Sequence, residues 1–258
     1  MAVKGFKILV FFALALLALQ WLSVFSLSEN AQLVLCAIAL FATLGVLFFE
    51  DKNDNVTWFV ALVVFSLIAA IAGELQLRTN EHFTVFLSEQ LPIQQVERLT
   101  AFRTKWQWLG YAFIPLLLLL KVSIVALLLD LGCFFYNKRL PYKELFRIAI
   151  QAEYIFLAVS ACKILWFYIF HPQFTFEELQ YFAPFSLLQL IGYKGLSPWF
   201  VYPLQLVSVF ELLYWLFLAY ELNKALKEEK GLPIVASGYG SGLALWAIGI
   251  MFITLNNT

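Results

Sequence analysis

The chain has 258 residues, 62% of them hydrophobic and only 13% charged; a soluble domain of this size is nearer half apolar and a quarter charged, so the composition belongs to the membrane class. Lysine plus arginine equals aspartate plus glutamate at 17 each. That leaves no net charge to draw nucleic acid, and no basic cluster interleaved with aromatics stands outside the short loops.

A helix crossing about 30 Å of hydrocarbon at about 1.5 Å per residue needs about 20 mostly apolar residues. Seven runs meet or approach that length, near 5–27, 32–49, 56–72, 109–133, 144–170, 198–221 and 234–255. The expected fold class is therefore all-α: a polytopic membrane helix bundle, 1–258 as one domain, with about seven spans. The count falls to six if the first run is a cleaved signal, with Lys4 and Lys7 as its n-region and ALALLALQ offering small residues for cleavage. The apolar stretch runs on through WLSVFSL, longer than a usual h-region, which favours a retained span. No long repeat is visible, so an inverted-repeat transporter is not suggested.

Placing the N-terminus inside puts ten lysines and arginines in the inner segments and five in the outer ones. The positive-inside rule prefers that arrangement, with the C-terminus outside and a bacterial inner membrane as the expected setting. Asn55-Val-Thr57 has a glycosylation spacing but lies inside and flush with a span, which discounts it.

The outer segment 74–108 holds Pro92 followed by Ile93, Val96, Leu99, Phe102 and Trp106, at helical period. This predicts an amphipathic helix on the outer surface, opened by Pro92 and ended by the aromatics of KWQWLGY at the headgroup boundary. In 171–197, Thr175 and Glu178 have capping-box spacing, so FEELQYF is a predicted short helix. Ser197-Pro198 reads as N-cap and first turn of the sixth span. Inside, LPYKELFRIAI reads as a basic amphipathic start to the fifth.

LLLLLKVSIVALLLD, 116–130, sets Lys121 inside an apolar run. Counted from the cytoplasmic edge, Lys121 lies about 18 Å deep, Glu153 about 13 Å and Glu211 about 15 Å. Three ionisable groups on three spans thus share a depth at which a lone charge costs at least about 2.5–3.5 kcal/mol, and pairing relieves much of it. Asp130 sits nine residues on, about 180° round the helix, and reaches the interface instead. The cluster of Lys121, Glu153 and Glu211 is read first as structural pairing, then as a transport or proton-relay site, then as a contact for a partner subunit. Lys163, near the outer end of its span, snorkels or meets Glu177 or Glu178.

Catalytic, cofactor and metal sites are not expected. The two histidines, His82 and His171, stand far apart in outer loops, and no HExxH, GxSxG or P-loop occurs. Cys36, Cys133 and Cys162 are odd in number, lack a CxxC and lie in or beside apolar runs, which suits small packing residues. Glu177-Glu178 and Glu228-Glu229 point to different sides of a helix and make no metal clamp. SGYGSG, 237–242, follows no strand; its Gly238 and Gly242 have the GxxxG spacing that lets helices approach closely in lipid. Pro115 and Pro203 lie inside spans and are expected to bend them.

From about Leu109 to Leu255, KELFRIAI leads into a helix followed by closely spaced, aromatic-rich spans. In this the chain resembles the Ypt-interacting-protein (Yip) domain family of membrane proteins. The Asp-Leu-Tyr-Gly-Pro stretch of eukaryotic members is absent and the three leading spans are extra, so no functional residue is carried over. The last four expected spans make a four-helix C-terminal membrane bundle, 109–255, and the resemblance implies a small helical membrane protein that acts through partners or lipids rather than catalysis. The expected function is a non-catalytic subunit or scaffold of a membrane complex, with lipid and other membrane subunits as partners. The alternative is a small transporter or channel component using Lys121, Glu153 and Glu211.

Overall fold

The computed structural model describes residues 55–77, 79–171 and 173–256. The runs expected near 5–27 and 32–49, with Cys36 and the first three lysines, lie outside the described residues. In chain order the helices are α1 Asn55–Leu77, α2 Thr79–Ser88, α3 Ile93–Phe135, α4 Tyr142–Leu165, α5 Phe176–Tyr181, α6 Leu187–Ile191, α7 Pro198–Leu206, α8 Val209–Leu226, α9 Gly231–Val235 and α10 Ser241–Asn256. Five-residue π-helical turns, Trp166–Phe170 and Ala236–Gly240, extend α4 and join α9 to α10. Among the described residues there is no strand, and the protein is all-helical.

Among the described residues, four helical stretches are long and apolar enough to cross a membrane: Asn55–Leu75, Ile93–Phe135, Tyr142–Phe170 and Gly231–Asn256. They coincide with four of the expected runs. α8 is not among them, since it carries Glu211, Glu221 and Lys224 in 18 residues.

The chain divides into two compact units. The first holds the described residues up to Leu118 together with Ile164–Leu179. Here α1 buries Ala61, Leu62, Val64, Ile68 and Ile71, a stripe at helical spacing. The Arg103 guanidinium lies 4.3 Å from the centre of the Phe83 ring, which holds the start of α3 against α2. The reciprocal cap expected before α5 is formed: Thr175 N–H donates to Glu178 Oε2 at 3.0 Å, and Glu178 N–H to Thr175 Oγ1 at 3.2 Å.

The segment after Pro92 is helical, and Val96 is its buried apolar residue while Ile93, Leu99, Phe102 and Trp106 are exposed. It differs from expectation in being the first part of α3 rather than a separate surface helix. No breaking residue separates Trp108 from Leu109, and Pro115 is accommodated inside the helix. The 43 residues of α3 extend about 64 Å, twice the hydrocarbon thickness.

The second unit is Leu119–Lys163 with Gln180–Thr258. In it α3 buries Val122, Val125, Ala126, Leu129 and Cys133, and α4 buries Leu145, Ile148, Ala149, Ala152 and Glu153. Gly238 is packed so closely on α3 that a Cβ there would collide with the Leu128 carbonyl oxygen; one at Gly242 would strike the Leu128 side chain. Gly238 and Gly242 of the SGYGSG stretch thus lie against one residue of α3.

The run 198–221, expected as one helix, is two. α7 ends at Leu206 and α8 starts at Val209, with Val207 and Ser208 extended between them. Extended backbone inside an apolar bundle needs hydrogen-bond partners. Phe185–Leu187 supplies them: Leu187 N–H donates to Val207 O at 2.9 Å and Val209 N–H to Phe185 O at 3.1 Å, forming an antiparallel bridge centred on Ser186 and Ser208. Each serine also caps a helix, Ser186 Oγ accepting from Gln189 N–H and Ser208 Oγ from Glu211 N–H. Ser208→Ala is therefore expected to cost about 1 kcal/mol of stability, within the range of about 0.5–2 for lost caps, measured by thermal unfolding in detergent. An unchanged melting point would show that the cap bond is replaced.

Candidate functional site

Three helices bring charge into the second unit. Lys121 Nζ of α3 lies 2.7 Å from Glu153 Oε2 of α4, and the Glu153 side chain is 2% exposed. Tyr214 of α8 donates its hydroxyl to the other oxygen, Glu153 Oε1, at 2.9 Å. Phe156, one turn along α4 from Glu153, presents its ring 4.0 Å from Lys121 Nζ. The ammonium is thus met by a carboxylate and by the negative face of an aromatic ring.

Glu211 belongs to the same unit and is nearly as buried, but no ion pair with Lys121 forms. Its Oε1 accepts from the Tyr239 hydroxyl at 2.8 Å and from Trp215 Nε1 at 2.9 Å. The Tyr214 and Tyr239 rings lie 5.2 Å apart and tilted, so the two carboxylate sites share an aromatic wall. The grouping of three charges by depth therefore resolves into one ion pair and one carboxylate held by neutral donors. The reason lies in the break at Ser208, which makes Glu211 a first-turn residue of α8, beside the π-helical turn that carries Tyr239.

The sequence did not single out Tyr214, Trp215 or Tyr239, yet each holds a carboxylate. A usable signal was present for the break: Ser208-Val-Phe-Glu211 has the spacing of a capping box, as does Ser186-Leu-Leu-Gln189. Aromatic donors four residues from a buried acid, as Trp215 is from Glu211, share one helix face.

Asp130 is exposed on α3 and takes no part. Glu178 is engaged by its own cap and by His171 Nε2 at 3.6 Å. Cys133 is buried and Cys162 half-buried, both as free thiols. At the α3–α4 turn, Lys138 forms an ion pair with Glu228 of the α8–α9 turn and holds that carboxyl below its usual value.

Fold and site define an all-helical protein with, among the described residues, four membrane-competent helices and a buried network of charges and aromatic donors. No protein-family model, curated protein or solved structure matches the chain.

Proposed function

We propose that this is a non-catalytic integral membrane protein serving as a subunit or scaffold of a membrane complex. The supporting observation is how the buried charges are used. Lys121, Glu153 and Tyr214 join α3, α4 and α8, while Tyr239 closes on Glu211 and joins α8 to the π-helical turn before α10, with Trp215 of α8 donating to the same oxygen. Buried carboxylates held by groups from neighbouring helices fix a bundle's geometry, which suits a part that others assemble on. The Yip-domain resemblance belongs to the same proposal, implying action through partners or lipids.

Within this reading the chain has about seven spans in a bacterial inner membrane, with the N-terminus inside and the C-terminus outside. The Lys138–Glu228 pair supports it, because it joins two turns that the charge asymmetry assigns to the same inner side. Tags at the two termini should be labelled from opposite faces. Labelling from one face would end the seven-span reading.

A second reading, a small transporter or channel component, is favoured by one feature: two helix interruptions, at Val207-Ser208 and Ala236–Gly240, meet at Glu211. Discontinuous helices and π-helical turns gather at binding sites in membrane proteins. Purification in mild detergent followed by native mass spectrometry separates the two. A defined assembly with another membrane protein is expected; a lone chain that moves solute when reconstituted in liposomes would replace the scaffold reading by transport.

A further inference from the structure

The break at Val207-Ser208 has a level in the bilayer, and the last membrane-competent stretch, Gly231–Asn256, serves as the ruler. Gly231 opens it beside Lys230 and the Lys138–Glu228 pair, which mark the inner edge. The Gly231 N–H donates to Asn223 Oδ1 at 2.6 Å, and the Ala219 carbonyl oxygen packs where a Cβ on Gly231 would stand. From Ala219 back to Ser208 is about 16 Å of chain. A second measure agrees. Trp246 stands about 22 Å along the stretch from Gly231, and its Nε1 donates to the Tyr202 hydroxyl at 2.8 Å. Ser208 lies about 9 Å inward of Tyr202 along α7, which gives about 13 Å. Hydrocarbon is about 30 Å thick, so the break sits near its middle.

The segment bridged to the break shares that level. Leu187 N–H and Val209 N–H tie Phe185–Leu187 to Val207–Val209. Yet Phe185–Leu187 belongs to 171–197, which the charge asymmetry assigns to the outer side. The chain therefore goes down and comes back. Ser186 N–H closes a turn onto Ala183 O at 3.3 Å, with Pro184 in its second place and Phe185 in its third at φ 56°, the left-handed conformation that such a reversal requires. α6 then leads away from the bridge. Beyond it Tyr193 stacks on Tyr181, ring centres 4.9 Å apart, and closes the neck of the hairpin.

Its chemistry suits hydrocarbon. No Asp, Glu, Lys or Arg occurs from 179 to 193. Pro184, Ser186 and Leu188 are buried on the protein, and the backbone there finds partners without water. Ser186 Oγ donates to Ala183 O at 2.8 Å and accepts from Gln189 N–H, and Gly192 N–H returns to Leu188 O at 2.8 Å. The other face points outward: Phe185 is 67%, Leu190 82% and Ile191 60% exposed. Val207 and Val209, joined to the tip by the bridge, are exposed as well, so one apolar surface runs from the hairpin onto the broken span.

We propose that 182–197 is a re-entrant hairpin that dips to the middle of the bilayer, and that Phe185, Leu190 and Ile191 form a contact surface for the acyl chains of the outer leaflet. This rests on the reading of the chain as an integral membrane protein with 171–197 on the outer side.

The test uses the full-length chain in lipid bilayers, with a nitroxide amino acid at Phe185, Leu190, Lys194 or Leu245, one at a time. Collision with oxygen, which gathers in hydrocarbon, and with a polar nickel chelate, which stays in water, reads the depth of each label. The oxygen-to-chelate ratio at Phe185 and Leu190 is expected to exceed that at Lys194 by at least about ten-fold, because hydrocarbon excludes the chelate. Phe185 should be the deeper of the two, and both should resemble Leu245 on the exposed side of α10. Where a label lowers the melting point, the exposed neighbours Leu187 and Ile191 replace Phe185 and Leu190.

Ratios at Phe185 and Leu190 equal to that at Lys194 overturn the proposal. So does shielding of both labels from oxygen and chelate alike, since protein rather than lipid would then cover the surface. Leu245 separates this failure from failure of the membrane reading. An oxygen-rich label at Leu245 alone sinks the hairpin and keeps the span, whereas a chelate-rich label there sinks both.

Discussion

Lys121→Met should lower thermal stability in detergent. The substitution keeps length and apolar contact but leaves Glu153 at 2% exposure with only Tyr214 to hold it. Breaking one side of a buried pair costs about 3–5 kcal/mol in soluble proteins, because the remaining charge is uncompensated. Here the half-exposed position of Lys121 and the alternative partners open to a chain unfolded within the membrane reduce that figure. A loss of about 1–3 kcal/mol is the expected range. Adding Glu153→Gln removes the stranded charge, and its amide oxygen can still accept from Tyr214, so the double variant should recover part of the loss. Thermal unfolding of the single and double variants tests this as a cycle. Additive losses would mean that the 2.7 Å pair contributes nothing beyond its separate members.

The pair was legible in the sequence because two facts suffice for it: a span needs about 20 residues, and a charge at its middle needs a counter-charge at similar depth. Glu211 passed the same filter yet makes no ion pair with Lys121. Depth is one coordinate, and the helix start at Ser208 fixes where round the bundle Glu211 points. Hydropathy cannot see that start, since PWFVYPLQLVSVFELLYWLFLAYE is mostly apolar on both sides of it and reads as one helix. Only the serine spacing marks it, Ser208 capping onto Glu211 and Ser186 onto Gln189. The same limit explains α3. Periodicity recognises helix in 93–106 and apolarity recognises a span in 109–133, but neither says whether the chain breaks between them. Among elements whose ends carry local chemistry, sequence and structure agree closely. Thr175 and Glu178 cap α5 reciprocally, and Pro198 stands in the first turn of α7 behind Ser197.

Gly238→Val is expected to be at least as damaging as the loss of Lys121, through geometry rather than charge. At Gly238 the π-helical turn meets α3 backbone to backbone, and an added Cβ would collide with the Leu128 carbonyl oxygen and crowd Gly132. A carbonyl of a continuous helix cannot rotate aside without giving up its own hydrogen bond, so α3 and the turn must separate. Overpacking typically costs about 1–3 kcal/mol where side chains can adjust, and more where backbone must move. Separation would also carry Tyr239, the next residue, away from Glu211, whose Oε1 it serves at 2.8 Å. Gly242→Ala differs in kind: its Cβ meets only the far end of the Leu128 side chain, which can change rotamer. The expected order of melting points is therefore parent, then Gly242→Ala, then Gly238→Ala, with Gly238→Val lowest. Combining Gly238→Ala with Tyr239→Phe should give less than the sum of the two losses, because the first already disturbs the hydrogen bond that the second removes. Equal losses at 238 and 242 would show that close approach of the helices, rather than backbone contact at one residue, governs the packing of the last span.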